Sequence, residues 1–88
     1  MAVIQSCMFY VIRRFPERGD AIKRLFRENE NFHTICKDYG LCAEALKRWN
    51  ESKAKDAPAR RSEYAELLED LESEIRKYLD AHKEKERF

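Results

Sequence analysis

Apolar residues recur at helical spacing from the start of the chain. We favour a helix whose broad buried face holds Val3, Ile4, Cys7, Met8, Val11, Ile12 and Phe15. A strand is the competing prediction, because valine and isoleucine are β-branched and a short apolar run has no decisive periodicity. Pro16 disfavours helical geometry at the preceding residue and suits the first turn of a new helix. That short amphipathic helix begins at Pro16, or slightly later at Gly19 or Asp20, and its apolar face holds Ile22, Leu25 and Phe26.

Two longer apolar seams follow. Asn29 or Asn31 is placed to cap the first of these helices, because an asparagine side chain accepts a hydrogen bond from a free amide of the first turn. The first seam steps by threes and fours to about Glu51 and holds Phe32, Ile35, Cys36, Tyr39, Cys42, Leu46 and Trp49. The polar stretch 50–59 predicts a turn. The second seam holds Tyr64, Leu68, Leu71, Ile75, Tyr78 and His82.

The two seams predict the architecture. Similar seams joined by a short polar connection are typical of an antiparallel helical hairpin, here residues 31–51 and 59–84. Each hairpin helix buries only one face, so the N-terminal helical segment, residues 1–29, must cover the hairpin, or a second copy of the chain must do so. We therefore predict a single all-α domain over residues 1–88, with three to four helices and a tail, residues 85–88, that frays. Dimerisation through leftover apolar surface is the simplest completion of this small core.

Composition narrows the class of protein. Two glycines and two prolines in 88 residues are too few for the frequent turns of an all-β domain. Eighteen basic against seventeen acidic side chains leave a net charge of +1, which identifies no partner. Cys7, Cys36 and Cys42 form an odd set without CxxC spacing, and we see neither a secretory signal nor an apolar run of the ~20 residues that cross a bilayer. We therefore expect a soluble cytoplasmic protein with free thiols and no membrane contact.

No motif identifies an enzyme. His33 and Cys36 share a helix face, but their spacing with Cys42 matches no zinc pattern, and Cys42 points elsewhere if the helix is continuous. A thiolate pair of Cys36 with His33 is the corresponding catalytic hypothesis, and a buried apolar seam argues against it because burial raises a cysteine pKa. Gly-rich phosphate loops, nucleophile elbows and HExxH motifs are absent from the sequence. We expect no catalysis, metal or cofactor.

Residues 35–49 resemble the helix-turn-helix of transposases and regulators. In that motif a small residue precedes a turn glycine by four, and a later apolar residue and a tryptophan anchor the recognition helix. The matching positions are Cys36, Gly40, Leu41, Leu46 and Trp49. The resemblance implies that Lys47 and Arg48 face phosphates or base edges. Against it, Cys42 is a poor helix cap, Glu44 would repel phosphate, and the apolar seam passes through the glycine without a phase break. DNA binding is therefore the alternative function.

Residues 15–80 taken together resemble a family of small bacterial proteins without an assigned function. The resemblance lies in Phe32-x-x-Ile35-Cys36-x-Asp38-Tyr39, in Cys42-x-x-Ala45-Leu46-x-x-Trp49 and in Glu63-Tyr64-x-x-Leu67-Leu68-x-x-Leu71-Glu72-x-Glu74-Ile75. It implies an antiparallel helical hairpin and supplies no activity, cofactor or site.

Association with a second copy of the chain, or with another protein, is the function that we favour from the sequence. Phe9, Tyr10, Trp49 and Tyr78 are the candidate contact residues, because aromatic side chains contribute disproportionately to protein interfaces. Core packing is the alternative role for all four, and for Trp49 it is the favoured one.

Overall fold

The chain folds into four α-helices and one short 3₁₀ helix. The structure is a computed structural model that describes the backbone of residues 2–86 and the side chains of residues 7–81. The elements are α1 (Ala2–Arg14), the 3₁₀ helix (Pro16–Arg18), α2 (Gly19–Glu28), α3 (Glu30–Glu51) and α4 (Ala57–Glu86). The predicted all-α hairpin with an N-terminal helical cover is confirmed.

The break between α1 and α2 lies at Pro16. Phe15 has φ −127° and ψ 65°, outside the helical region, because a following proline crowds that geometry. Pro16 opens the 3₁₀ turn, and α2 begins at Gly19, one of the later predicted starts. Helical geometry throughout α1 excludes the competing strand. On the predicted buried face, Cys7 and Val11 are buried, and the side chains at positions 3 and 4 lie outside the described part.

Asn29 joins α2 to α3. Its backbone N–H donates to the Leu25 carbonyl at 2.8 Å and ends α2. Its side-chain Oδ1 accepts from the Phe32 N–H at 2.9 Å and begins α3. Of the two predicted caps, Asn29 is therefore the cap, and Asn31 lies within the first turn of α3. A single extended residue between the helices turns α2 directly back onto α3.

Helices α3 and α4 pack antiparallel. Near the start of α3, the Phe32 ring meets Tyr78 edge to face at 5.7 Å between centroids. Farther along α3, the Cys42 thiol donates to the Tyr64 carbonyl at 3.3 Å. Partner numbers fall along α4 as they rise along α3, which is the order of an antiparallel pair.

The connection between these helices is shorter than the sequence predicts. It comprises residues 52–56, because α3 extends to Glu51 and α4 begins at Ala57. Pro58 lies in the first turn of α4. Backbone N–H groups in a first turn have no carbonyl partner within the helix, so a proline there loses no hydrogen bond.

The far end of α4 also extends beyond its predicted boundary. The helix reaches Glu86, so residues 85 and 86 of the predicted frayed tail are helical. Residues 87–88 and the side chain of His82 lie outside the described part of the chain. Thirty residues give α4 a length of about 45 Å. No helix among the described residues is sufficiently long and apolar to cross a membrane.

Helix α3 is the centre of the molecule. It contacts α1, α2 and α4. One buried cluster contains Val11, Ala21, Ile22, Leu25, Phe26, Phe32, Cys36, Tyr39, Ile75 and Leu79. Two arginines attach the N-terminal segment to α4: Arg14 Nε lies 3.1 Å from Glu72 Oε1, and Arg18 donates to the Leu79 carbonyl at 2.9 Å.

Gly40 lies inside an unbroken helix, which corrects the helix-turn-helix prediction for residues 35–49. Helix α3 passes through this position with no positive-φ residue. A Cβ at position 40 would lie 2.7 Å from the Cα of Cys7, far inside van der Waals contact. The glycine therefore permits close approach of α1 to α3 and makes no turn. Residues 35–49 contain no separate recognition helix.

Candidate functional site

A concave apolar surface lies between α3 and α4. We name it the α3–α4 groove; it has a volume of about 320 Å³. Its lining residues are Asp38, Leu41, Cys42, Ala45, Tyr64, Leu67 and Leu71.

The groove arises from the angular spacing of residues on α3. Successive residues of a helix are about 100° apart. Gly40 meets α1, and the Cys42 thiol donates to a carbonyl of α4. Leu41 lies between them in angle, on the side of α3 opposite the buried Cys36 and Tyr39, and is 48 % exposed. The open side of the α3–α4 pair is the side that α1 leaves uncovered.

Two leucines give the groove its apolar character. Leu67 on α4 is 47 % exposed, a value close to that of Leu41 on α3. Tyr64 and Leu71 are half-buried between them. Leu71 also packs against the buried cluster, so the groove is continuous with the core. Apolar side chains from two helices thus form one surface that no part of the described chain covers.

Trp49 extends this surface towards the end of α3. A second depression shares Ala45 and Tyr64 with the groove and adds Arg48, Trp49 and Ser52 to the lining. Trp49 is half-buried, and its backbone carbonyl accepts a hydrogen bond from Arg61 at 3.3 Å. The predicted contact residue Trp49 is therefore part of the helical hairpin and also borders the apolar surface.

Opposite charges mark the two ends of this surface. Asp38 lines one end, and Arg48 lines the other. Both are exposed, and within the described part of the chain neither has an ion-pair or hydrogen-bonding side-chain partner. Lys47, the other predicted DNA contact, is exposed and lines neither depression. Consecutive residues of a helix point in different directions, which separates Lys47 from Arg48.

Phe9 and Tyr10 lie on a different surface. With Arg13 and Glu44 they line a shallow depression between α1 and α3. Phe9 is 53 % exposed. The Tyr10 hydroxyl donates to the Glu44 carboxylate, and this hydrogen bond raises the pKa of Tyr10. The Tyr10 side chain thus links α1 to α3.

The four aromatic candidates do not form one patch. Phe9 and Tyr10 belong to α1 and line the depression between α1 and α3, and Trp49 borders the groove near the end of α3. Tyr78 is half-buried with its ring edge against Phe32, at the opposite end of α3. Of the four, Trp49 is the one that the structure places with the exposed leucines.

Leu41, Leu67 and Asp38 are the surface residues that our sequence reasoning did not select. Leu41 stands beside the buried seam of α3 and Leu67 beside that of α4, and neither is among the aromatic residues that we predict as contacts. The sequence does contain a signal for these positions. Leu41 and Ala45 are four residues apart and form a second stripe next to the seam of α3, and Leu67 lies four residues before Leu71 of the second seam.

The thiols and His33 do not form a reactive group. Burial raises the pKa of Cys36 from 9.0 to about 12, so this thiol is protonated at neutral pH. His33 stacks on Phe26 with 4.2 Å between ring centroids, and its Nδ1 lies 3.2 Å from the Phe26 carbonyl oxygen. Cys42 donates to the backbone of α4. Among the described residues there is no group of three histidine, cysteine or acidic side chains that could hold a metal ion.

The resemblance to small bacterial hairpin proteins stays a prediction, although the hairpin that it implied is present. The sequence matches no family model, and no curated protein or solved structure matches it.

Proposed function

We propose that this chain is a non-catalytic protein–protein interaction module that associates through the α3–α4 groove, in the first instance with a second copy of itself. The observation that carries the proposal is the pair Leu41 and Leu67, each about half exposed on facing helices of one concave surface. Scattered exposed leucines are ordinary on protein surfaces, whereas contiguous apolar surface is typical of an interface.

The groove has the chemistry of an interface centre. Leucine and tyrosine side chains line it, Asp38 stands at one end, and Arg48 stands beyond the other end in the second depression. An apolar centre with a polar rim is the usual arrangement in protein–protein contacts. Trp49 adds an aromatic side chain of the kind that contributes most to binding energy.

The thiols support a non-catalytic role in a reducing compartment. Cys7, Cys36 and Cys42 are buried and unpaired, and burial raises the pKa of all three thiols. Protonated thiols inside a core are poor nucleophiles. Unpaired cysteines are typical of proteins in the reducing cytoplasm, where we place this chain.

Sedimentation equilibrium tests the proposal. The wild-type chain should self-associate reversibly, and the Leu41→Glu and Leu67→Glu variants should each raise the dissociation constant at least about tenfold, because a carboxylate would have to be desolvated in the groove. Both positions are half exposed in the single chain, so helicity and melting temperature should change little.

Phe9→Glu is the matched control. Phe9 has similar exposure but lies on α1, away from the groove lining, so this variant should associate like the wild type. Loss of association in Phe9→Glu with retention in Leu41→Glu would move the interface to α1. A wild-type chain that stays monomeric at about 1 mM, which corresponds to a binding free energy weaker than about 4 kcal/mol, would overturn the proposal.

A further inference from the structure

Asp38 and Arg48 place opposite charges at the two ends of the apolar surface between α3 and α4. Asp38 lines the α3–α4 groove, and Arg48 lines the second depression, which shares Ala45 and Tyr64 with the groove. The two residues are ten positions apart on α3, a separation of about 15 Å along the helix axis. Arg61 of α4 reaches the same end of α3, where it donates to the Trp49 carbonyl at 3.3 Å. Arg48 lines the second depression and has no ion-pair partner in the described part of the chain.

We propose that the occupant of the groove is a second copy of the chain, placed antiparallel across a two-fold axis at the level of residue 43, so that Asp38 of each protomer pairs with the partner's Arg48. This inference rests on the proposed function and adds the orientation of the second copy and the side chains that pair across the interface. In a two-fold interface, if residue i contacts residue j, then j also contacts i. One antiparallel placement therefore satisfies both unpaired charges of both chains.

The apolar residues fit the same placement. Positions 41 and 45 lie symmetrically about position 43, so Leu41 of one protomer faces the partner's Ala45, and the reverse. A large side chain then meets a small one twice, which suits close packing at the axis. A parallel arrangement would place Asp38 beside Asp38 and Arg48 beside Arg48, and like charges in contact oppose association.

Charge reversal separates these arrangements. In the antiparallel dimer, Asp38→Arg alone places two guanidinium groups opposite each other at both ends of the interface. Arg48→Glu alone places two carboxylates opposite each other at the same two points. Each variant alone should raise the dissociation constant roughly tenfold or more, because two attractions become two repulsions. The increase should shrink at about 0.5 M salt, where charges at the rim are screened.

Mixing the two variants is the decisive experiment. A protomer with Asp38→Arg and a protomer with Arg48→Glu can form a heterodimer. At one end of its interface the introduced arginine faces the introduced glutamate, and at the other end the native Arg48 faces the native Asp38. Both pairs are again attractive. Equal amounts of the two variants should therefore associate within about threefold of wild-type affinity. Sedimentation equilibrium of each variant and of the mixture, with helicity measured on the same samples, gives the comparison.

The outcomes distinguish this geometry from the proposed function. If Leu41→Glu abolishes association but the mixed variants do not recover it, the antiparallel pairing is overturned and the groove remains an interface. Single variants with wild-type affinity would overturn the pairing in the same way. If the wild-type chain is monomeric, both proposals are overturned together.

Discussion

Gly40 sets the distance between α1 and α3 at the scale of a single residue. In an exposed helix, Gly→Ala stabilises a protein by about 1 kcal/mol, because alanine has the higher helix propensity. At position 40 the added Cβ would instead lie 2.7 Å from the Cα of Cys7, so the two backbones must separate. We expect Gly40→Ala to lower the free energy of unfolding by about 1–3 kcal/mol, measured by urea denaturation.

Gly19 provides the control for this prediction. It lies at the start of α2 in helical geometry, and a Cβ there would meet only the Ile12 side chain, at 3.8 Å. Gly19→Ala should therefore leave the free energy of unfolding unchanged or raise it by up to about 1 kcal/mol. Equal effects of the two substitutions would mean that the approach of Cys7 to Gly40 does not constrain α1.

Asn29 acts at the scale of the element, because it ends α2 and caps α3. Removal of its side chain leaves the Phe32 N–H without its 2.9 Å acceptor. We expect Asn29→Ala to lower the free energy of unfolding by about 1 kcal/mol, the usual effect of losing such a cap. Thermal and urea denaturation followed by circular dichroism measure the change.

Asn31→Ala is the matched control for the cap. Asn31 is exposed within the first turn of α3, and alanine is a better helix former, so the variant should lose no stability. A loss in Asn31→Ala as large as that in Asn29→Ala would contradict the assignment of Asn29 as the cap.

The buried thiols and Tyr39 make the stability of the whole molecule fall at alkaline pH. Burial raises the pKa of Cys36 from 9.0 to about 12, and it raises the pKa of Tyr39, which also donates to Glu72. The unfolded chain therefore releases these protons at lower pH than the folded chain. The stabilising contribution of Cys36 is complete below about pH 9 and is lost as pH rises towards about 12, with a limiting slope of about 1.4 kcal/mol per pH unit for one proton.

Urea denaturation between about pH 8 and about pH 11 checks this dependence. Cys36→Ala should be less stable than the wild type at neutral pH, because it leaves a void in the core. Its stability should then fall less steeply with pH, because one titrating thiol is absent. A slope as steep as that of the wild type would show that Cys36 does not contribute.

Local signals in the sequence were sufficient for most of the helix boundaries. Pro16 separates the first two helices, Asn29 caps the third, and the seam through Phe32 and Ile75 pairs the long helices. Each of these features acts within a few residues or through regular spacing, so the sequence pattern displays it directly. The start of α4 was less predictable, because Pro58 is compatible both with a turn and with the first turn of a helix.

The candidate site needed the tertiary structure. Leu41 and Leu67 lie on different helices, 26 positions apart in the sequence, and their common exposure depends on which side of the hairpin α1 covers. The sequence predicts Phe9 and Trp49 as contact residues of the same kind. The packing of α1 on α3 places them on separate surfaces.

The sequence by itself determined that this protein is an all-α hairpin with an N-terminal helical cover, because apolar periodicity and helix caps are local properties of the chain. Only the tertiary structure decided the role of Gly40 and the position of the open surface. A glycine inside a regular seam fits either a turn or a close contact, and the approach of Cys7 decides between them. Helical spacing likewise identifies which residues share a face, whereas long-range packing selects the face that stays uncovered.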